Sequence, residues 1–257
     1  MGVQFSPDGE WMTYTTDPQG ILWRSRVDDS ERLQLTFPPL WVSMPRWSPD
    51  GTRIAFMALE PGKPWSVYVI SAEGGSPEQE VPGDPRGIFP TWSPDGHSLL
   101  IGHFPHDEAL GGGPLGLELV DVKTHKVSKL RGSEELWDSR WSPDGHHILA
   151  KTKVGDWPML FDVKTQKWTA LAKIGIDWPE WSRHAGYIYF LAVAAGGQQG
   201  LFRLRISDHA LEQLVSLKDF RQAPDPGNWV GLAPDDSPLL VRDAGTQDIY
   251  ALDWDAP

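Results

Sequence analysis

Short β-prone apolar runs, each closed by a polar turn, recur along the whole chain. One set comprises EWMTYTT at 10–16, TRIAFMAL at 52–59, HSLLIG at 97–102, HHILAK at 146–151, GYIYFLA at 186–192 and PLLVR at 238–242. A second set follows some way on: ILWRSRV from Ile21, WSVYVIS from Trp65, LGLELVD from Leu115, WPMLFDV from Trp157, LFRLRIS from Leu201 and DIYALDW from Asp248. Each run has the length of one strand. Most of the second set lead through a polar hinge into another short run, as in VDDSERLQL, DVKTHKVSKL, DVKTQKWTAL and SDHALEQL, where Asp, Ser, Thr and Lys supply turn chemistry.

The turn in front of the first set is nearly constant. Trp-Ser-Pro-Asp-Gly stands unaltered at 47–51, 92–96 and 141–145, with looser copies at 5–9, 181–186 and 232–236. The motif's Ser falls at 6, 48, 93, 142 and 182, with Ala at 233, giving steps of 42, 45, 49, 40 and 51 residues. A period of this size is one four-stranded propeller blade. The predicted unit is an inner strand, the Ser-Pro-Asp-Gly turn, a second strand, a loop, a third strand, a hairpin and a fourth strand. Proline presets φ, Asp accepts from nearby amides and Gly tolerates positive φ. Asp8, Asp50, Asp95 and Asp144 are therefore read as turn residues, and Trp47, Trp92, Trp141 and Trp181 as wedges between blades. Four aspartates repeating once per unit serve the unit better than they would a catalytic or metal set. The expectation is an all-β, six-bladed propeller of four-stranded antiparallel blades in one domain, 1–257, with blades starting near 3, 44, 89, 138, 178 and 229.

Both ends bear on ring closure. Val3-Gln4-Phe5 reads as an inner strand directly behind Met1-Gly2, and the sixth unit ends at Asp255-Ala256-Pro257 without a fourth run. The last blade is expected to be incomplete or closed by the N-terminus, and the chain to be a segment of a longer protein. A sheet edge left open there would be a pairing liability.

Composition narrows the partners. The 257 residues carry a net charge of −12 and 40% hydrophobic content with 14 Trp, enough for one closed core. An acidic chain is a poor match for nucleic acid or anionic membranes. With no Cys there is no disulfide, thiolate zinc site or cysteine nucleophile. The longest apolar run, Ile188 to Ala195, is too short to span a bilayer, so no membrane insertion is expected. The Gly-x-Ser-x-Gly elbow of serine hydrolases is absent, and Gly111-Gly-Gly lacks the Lys and Ser or Thr of a phosphate loop.

The turns Phe5-Ser-Pro-Asp-Gly9 and Trp47-Ser-Pro-Asp-Gly51, with their later copies, resemble the repeats of TolB-like β-propellers over essentially the whole chain. The stretch from Trp229 to Trp254 resembles the closing segment of propellers at the C-terminus of larger bacterial regulators of kinase or winged-helix type. The resemblance implies a monomeric binding or sensing module that recognises a protein, a peptide or a small polar or anionic ligand. It would face the periplasm in a membrane-anchored regulator and the cytoplasm otherwise. Unit five departs at Arg183-His184-Ala185 and unit six at Ala233 and Asp236, which weakens the expected turns there.

Two rings of candidate residues follow from aligning the units on the turn Ser. Two positions before it stand Gln4, Arg46, Thr91, Arg140, Glu180 and Gly231, expected to line the channel. Four positions before it, or five in one unit, stand Met44, Phe89, Trp137, Trp178 and Trp229, expected to form an aromatic rim above the polar ring. Such a mouth suits a peptide, a polar ligand or a sugar, and its arginines favour an anion over a cation. The bland reading is that the aromatics cap the core and the Arg and Glu residues pair with one another. His103, His106 and Asp107, with His97, His146 and His147 just after turns, are weighed as metal ligands and set aside as solvated, so no metal or other cofactor is expected. The alternatives are a scaffold using the outer blade edges and, behind it, a metal-dependent hydrolase or lyase in the channel.

Overall fold

A computed structural model describes residues 2–80, 87–104, 115–194, 196–221 and 229–245. Every assigned element in them is a strand. Blade one holds β1 (Val3–Phe5), β2 (Trp11–Thr15), β3 (Leu22–Arg26) and β4 (Leu33–Gln34). Blade two holds β5 (Trp41–Trp47), β6 (Arg53–Leu59), β7 (Ser66–Ser71) and β8 (Glu78–Gln79). Blade three holds β9 (Ile88–Trp92), β10 (Ser98–Gly102), β11 (Glu118–Asp121) and β12 (Val127–Lys129). Blade four holds β13 (Leu136–Trp141), β14 (His147–Thr152), β15 (Pro158–Asp162) and β16 (Lys167–Ala170). Blade five holds β17 (Asp177–Trp181), β18 (Tyr187–Val193), β19 (Gln199–Arg205) and β20 (Leu211–Ser216). Each is an antiparallel meander in chain order, so every connection is local.

The expectation of six four-stranded blades is corrected to five. Among the described residues the sixth unit is a two-stranded sheet, β21 (Val230–Leu232) with β22 (Pro238–Leu240). After Leu240, Asp243 N donates to Arg221 O at 2.9 Å, and Arg221 Nε meets Asp243 Oδ2 at 3.0 Å. The run from Asp248 to Trp254 lies outside the described residues. The ring still closes at its inner strands. Consecutive inner strands lie side by side, and β21 touches both β17 and β1. β1 pairs with β2 as the inner strand of blade one.

Burial follows strand order. In β6, β10, β14 and β18 both faces are covered, as in Ile54 to Ala58 and Ile188 to Ala192, because neighbouring blades stack on each side. That is why these runs are continuously apolar rather than alternating. The outermost strands carry exposed residues, with Val127, Ser128 and Lys129 of β12 all in solvent.

Four inner strands share a defect. The ladder to the second strand slips between Ser43 and Arg46, between Ile88 and Thr91, between Trp137 and Arg140, and between Asp177 and Glu180. At each slip one residue takes a left-handed backbone: Met44 (φ 52), Phe89 (φ 51), Asp138 (φ 45) and Trp178 (φ 52). These are β-bulges that re-aim a side chain. In blade four the equivalent residue is Asp138, not Trp137.

Candidate channel-mouth site

The mouth is built from the repeated turn. In blades one to four the Ser hydroxyl donates to the turn Asp, as Ser48 Oγ does to Asp50 Oδ1 at 2.6 Å, and accepts the amide five residues on, as from Arg53 N at 2.9 Å. The same Asp oxygen accepts the amide two residues on, Thr52 N at 3.0 Å. These bonds to the charged form push the Asp50 carboxyl down to about 2. Asp8 and Asp95 are lowered for the same reason. Blade five keeps the frame without the acid: Ser182 Oγ accepts from Tyr187 N at 3.0 Å, His184 stands where Asp does elsewhere, and Ala185 holds the glycine position at φ 54.

The turns also touch one another around the rim. A Cβ added at Gly9, Gly51, Gly96 or Gly145 would meet the proline ring of the preceding unit, Pro234, Pro7, Pro49 or Pro94, at 3.3 to 3.7 Å. Motif tryptophans join neighbouring blades in the same direction. Trp47 Nε1 donates to Gln4 O at 3.2 Å, Trp92 Nε1 to Arg46 O at 3.0 Å and Trp181 Nε1 to Arg140 O at 3.0 Å. Trp141 breaks the series: its Nε1 is buried with no partner among the described residues.

Inside this rim is a cavity of about 420 Å³. Gln4, Arg46, Thr91, Arg140 and Glu180 all line it, with the motif Trp and Pro residues around them. Gly231 contributes no side chain to the ring. Beside it a smaller cavity of about 190 Å³ shares Gln4, Glu180 and Arg183 and extends to Pro234 and Asp236 over the sixth unit. The mouth is therefore elongated toward the sixth unit.

The charged floor is internally paired. Arg46 of blade two reaches across the axis to Glu180 of blade five, three places round the ring, at 2.7 Å. Arg140 Nη1 donates to Asp138 Oδ1 at 2.6 Å and to Ser139 O at 2.9 Å. Buried Lys151 of β14 approaches Asp138 Oδ2 at 3.3 Å and lies over the Trp137 ring at 4.1 Å. Burial pushes the Asp138 carboxyl up, but the adjacent Arg140 and Lys151 charges outweigh it and hold the group below its ordinary value. Burial lowers Arg46, Glu180 opposes this, and the Arg140 charge adds to the lowering.

The aromatic residues do not share this cavity. Phe89 and Trp178 pack with Met44, Trp41, Trp65 and Phe104 in one apolar cluster at the start of the inner strands, the end remote from the Ser-Pro-Asp-Gly turns. Phe89 meets Trp137 edge-on, with centroids 5.9 Å apart. Trp137 donates Nε1 to Asp156 Oδ1 at 3.2 Å, and Trp229 is buried against Gly231. Met44, Phe89 and Trp178 thus pack together away from the polar ring, while Trp137 lines a separate cavity of about 410 Å³ with Lys151, Asp156 and Asp177. Asp138 is the residue the spacing missed: counting aromatics singled out Trp137, whereas the constant four-residue offset from Ser142 points to Asp138.

Of the histidines, His103 is buried with Nε2 3.6 Å from Glu118 Oε2, and His97 and His146 are exposed. His147 stacks on Trp181 with centroids 6.5 Å apart. His106 and Asp107 lie outside the described residues. Among the described residues no three His, Asp or Glu side chains gather as a metal-binding group.

Searched against protein-family models, the chain matches none. Among solved structures it superposes on a TolB from Agrobacterium tumefaciens with a TM-score of 0.73 at 18% identity, covering 94% of this chain and 88% of that one. The fold is that of the TolB-like β-propellers. A TolB from Acinetobacter baumannii gives a TM-score of 0.69 at 17% identity over 91% of this chain and 55% of its own. At these identities the TolB-like likeness is one of fold. A closer sequence match covers less: 43% identity over 107 residues to an uncharacterised peptidase, YuxL, of Bacillus subtilis, which is 38% of this chain and 16% of that protein. The same TolB-like fold also accommodates enzymes, since an oligogalacturonate lyase in complex with manganese superposes with a TM-score of 0.62 at 12% identity, covering 96% of this chain and 77% of that one.

Proposed function

We propose that the chain is a non-catalytic recognition module that holds a protein or peptide segment, or a small polar or anionic ligand, in the mouth framed by the Ser-Pro-Asp-Gly turns. The observation that carries this is the cavity of about 420 Å³ lined by Gln4, Arg46, Thr91, Arg140 and Glu180, with apolar Pro and Trp walls. An apolar pocket holding a few convergent polar groups is the ordinary form of a binding site. The likeness to TolB propellers supports a protein partner over catalysis. We read residues 1–257 as one monomeric propeller of six units, serving a longer bacterial regulator as its sensing part.

The test is to pan a random-peptide library on the native chain and on Gln4→Trp, which fills the mouth. Peptides that bind the native chain and are lost on Gln4→Trp support the reading. Peptides that bind both equally would move recognition to the outer edges. That second reading has an observation of its own: β20 is an outermost strand of six residues, with Leu211 and Val215 exposed on it.

A further inference from the structure

Arg140 is 4% exposed, lines the mouth, and uses only one end of its guanidinium. Both of its hydrogen bonds leave from Nη1. Nε is buried without a partner, and Nη2 has none among the described residues. The unused Nε–Nη2 edge is the one that binds a carboxylate through two parallel bonds. Thr91, which lines the same cavity, is buried, accepts Trp141 N at 3.2 Å on its Oγ1 and donates to nothing among the described residues, so its hydroxyl proton is free. A buried donor without an acceptor is costly.

We propose that the Nε–Nη2 edge of Arg140 and the Thr91 hydroxyl form a subsite for one carboxylate, so that the ligand of this mouth presents an acidic group to blades three and four. This rests on the mouth being a binding site and adds the chemistry it selects. Two sources carry that group: a free organic acid, and an Asp or Glu side chain of a peptide. The body of either would lie against Trp92 and Pro94.

The experiment follows the Nε–Hε resonances of the arginines in the intact chain, with the Arg140 peak assigned by its loss in Arg140→Lys. The probes are acetate, N-acetylglutamate and a capped pentapeptide with one central Glu, each beside its amide counterpart. The expected result is a saturable movement of the Arg140 peak with carboxylates and not with amides, weakened roughly 10- to 100-fold in Thr91→Val. Response to all three acids identifies a free organic acid as sufficient; response to the pentapeptide alone identifies a side chain on a polypeptide. Equal response to acids and amides, movement confined to Arg53 or Arg183, or no movement overturns the subsite. A neutral peptide that perturbs the mouth tryptophans while the Arg140 peak stays fixed would remove the carboxylate and leave the mouth. Silence from peptides, acids and amides alike would remove both.

Discussion

At the residue scale the turn is a small hydrogen-bonded device, and blade five is a natural experiment in losing part of it. Ser182 keeps its bond to Tyr187 N, but His184 offers no carboxylate to the Ser hydroxyl or to Gly186 N. His184→Asp restores both acceptors and is expected to stabilise the chain by about 0.5 to 1 kcal/mol, a rise in Tm of roughly 1 to 4 °C. The pH dependence of that gain has a definite direction. A turn carboxyl whose folded pKa lies below the unfolded value of about 4 stabilises above that pH and loses the contribution as pH falls toward the folded value, about 2 for Asp50. The Tm advantage of His184→Asp should therefore shrink between about pH 4 and pH 2; an advantage unchanged across that range would mean the new acid makes no such bonds. This much was legible from sequence, because the turn's chemistry is local and written in five consecutive residues. The glycine position was not: the gap before Gly186 reads as an insertion, whereas Ala185 adopts the left-handed backbone itself.

At the element scale the inner strands carry the site, and their bulges decide what faces the axis. Sequence spacing identified Gln4, Arg46, Thr91, Arg140 and Glu180 as channel residues because one offset from the turn holds in every unit. It allowed the ring's Arg and Glu residues to pair with one another but could not say that Arg46 would be the one to meet Glu180, since residues 134 apart in sequence are brought together only by ring closure. Nor could it show that the bulge sends Asp138 inward where other blades send Met44, Phe89 and Trp178. Asp138 holds buried Arg140 and approaches buried Lys151, which Asp156 and Asp177 also face, so Asp138→Ala is expected to cost about 3 to 5 kcal/mol, chiefly through Arg140 left without its carboxylate. Its lowered pKa makes this contribution full above about pH 4 and lost below it. Chemical denaturation at pH 7 measures the cost, and a loss under about 1 kcal/mol would show that the channel tolerates the surplus charge. The interblade tryptophans give a second contrast on these strands. Trp92→Phe removes a bond to Arg46 O, whereas Trp141→Phe removes an indole N–H that has no partner among the described residues. With similar volume lost in both, Trp92→Phe should be the more destabilising by about 1 kcal/mol; equal costs would imply that Trp141 has an acceptor after all.

At the scale of the whole molecule, stability turns on one joint. Among the described residues five blades are four strands deep and stack on covered faces, while the sixth position holds β21 and β22. The repeat count could not foresee this, because six copies of a turn predict six inner strands, and six are present, without fixing how many strands each unit adds outside them. The joint is sealed by Trp229, 3% exposed, whose ring lies so close to Gly231 that a Cβ there would sit 2.1 Å from Cη2, and whose Nε1 would be 3.4 Å from a Cβ on Gly2. Gly231 thus has two tasks: it admits the indole that joins the sixth unit to blade one, and it leaves the polar ring open on that side, toward the smaller cavity over Pro234. Gly231→Ala must push Trp229 out of this seat and is expected to cost about 1 to 3 kcal/mol, or roughly 2 to 10 °C in Tm. Gly186→Ala is the matching control, since nothing lies within 4 Å of its added Cβ and its backbone is not left-handed, so that change should leave Tm unaltered or slightly raised. If the two substitutions melt alike, Trp229 is not what closes the ring; if only Gly231→Ala falls, a weak point of the propeller lies beside the mouth, and a ligand that spans both cavities would raise Tm by clasping the sixth unit to its neighbours.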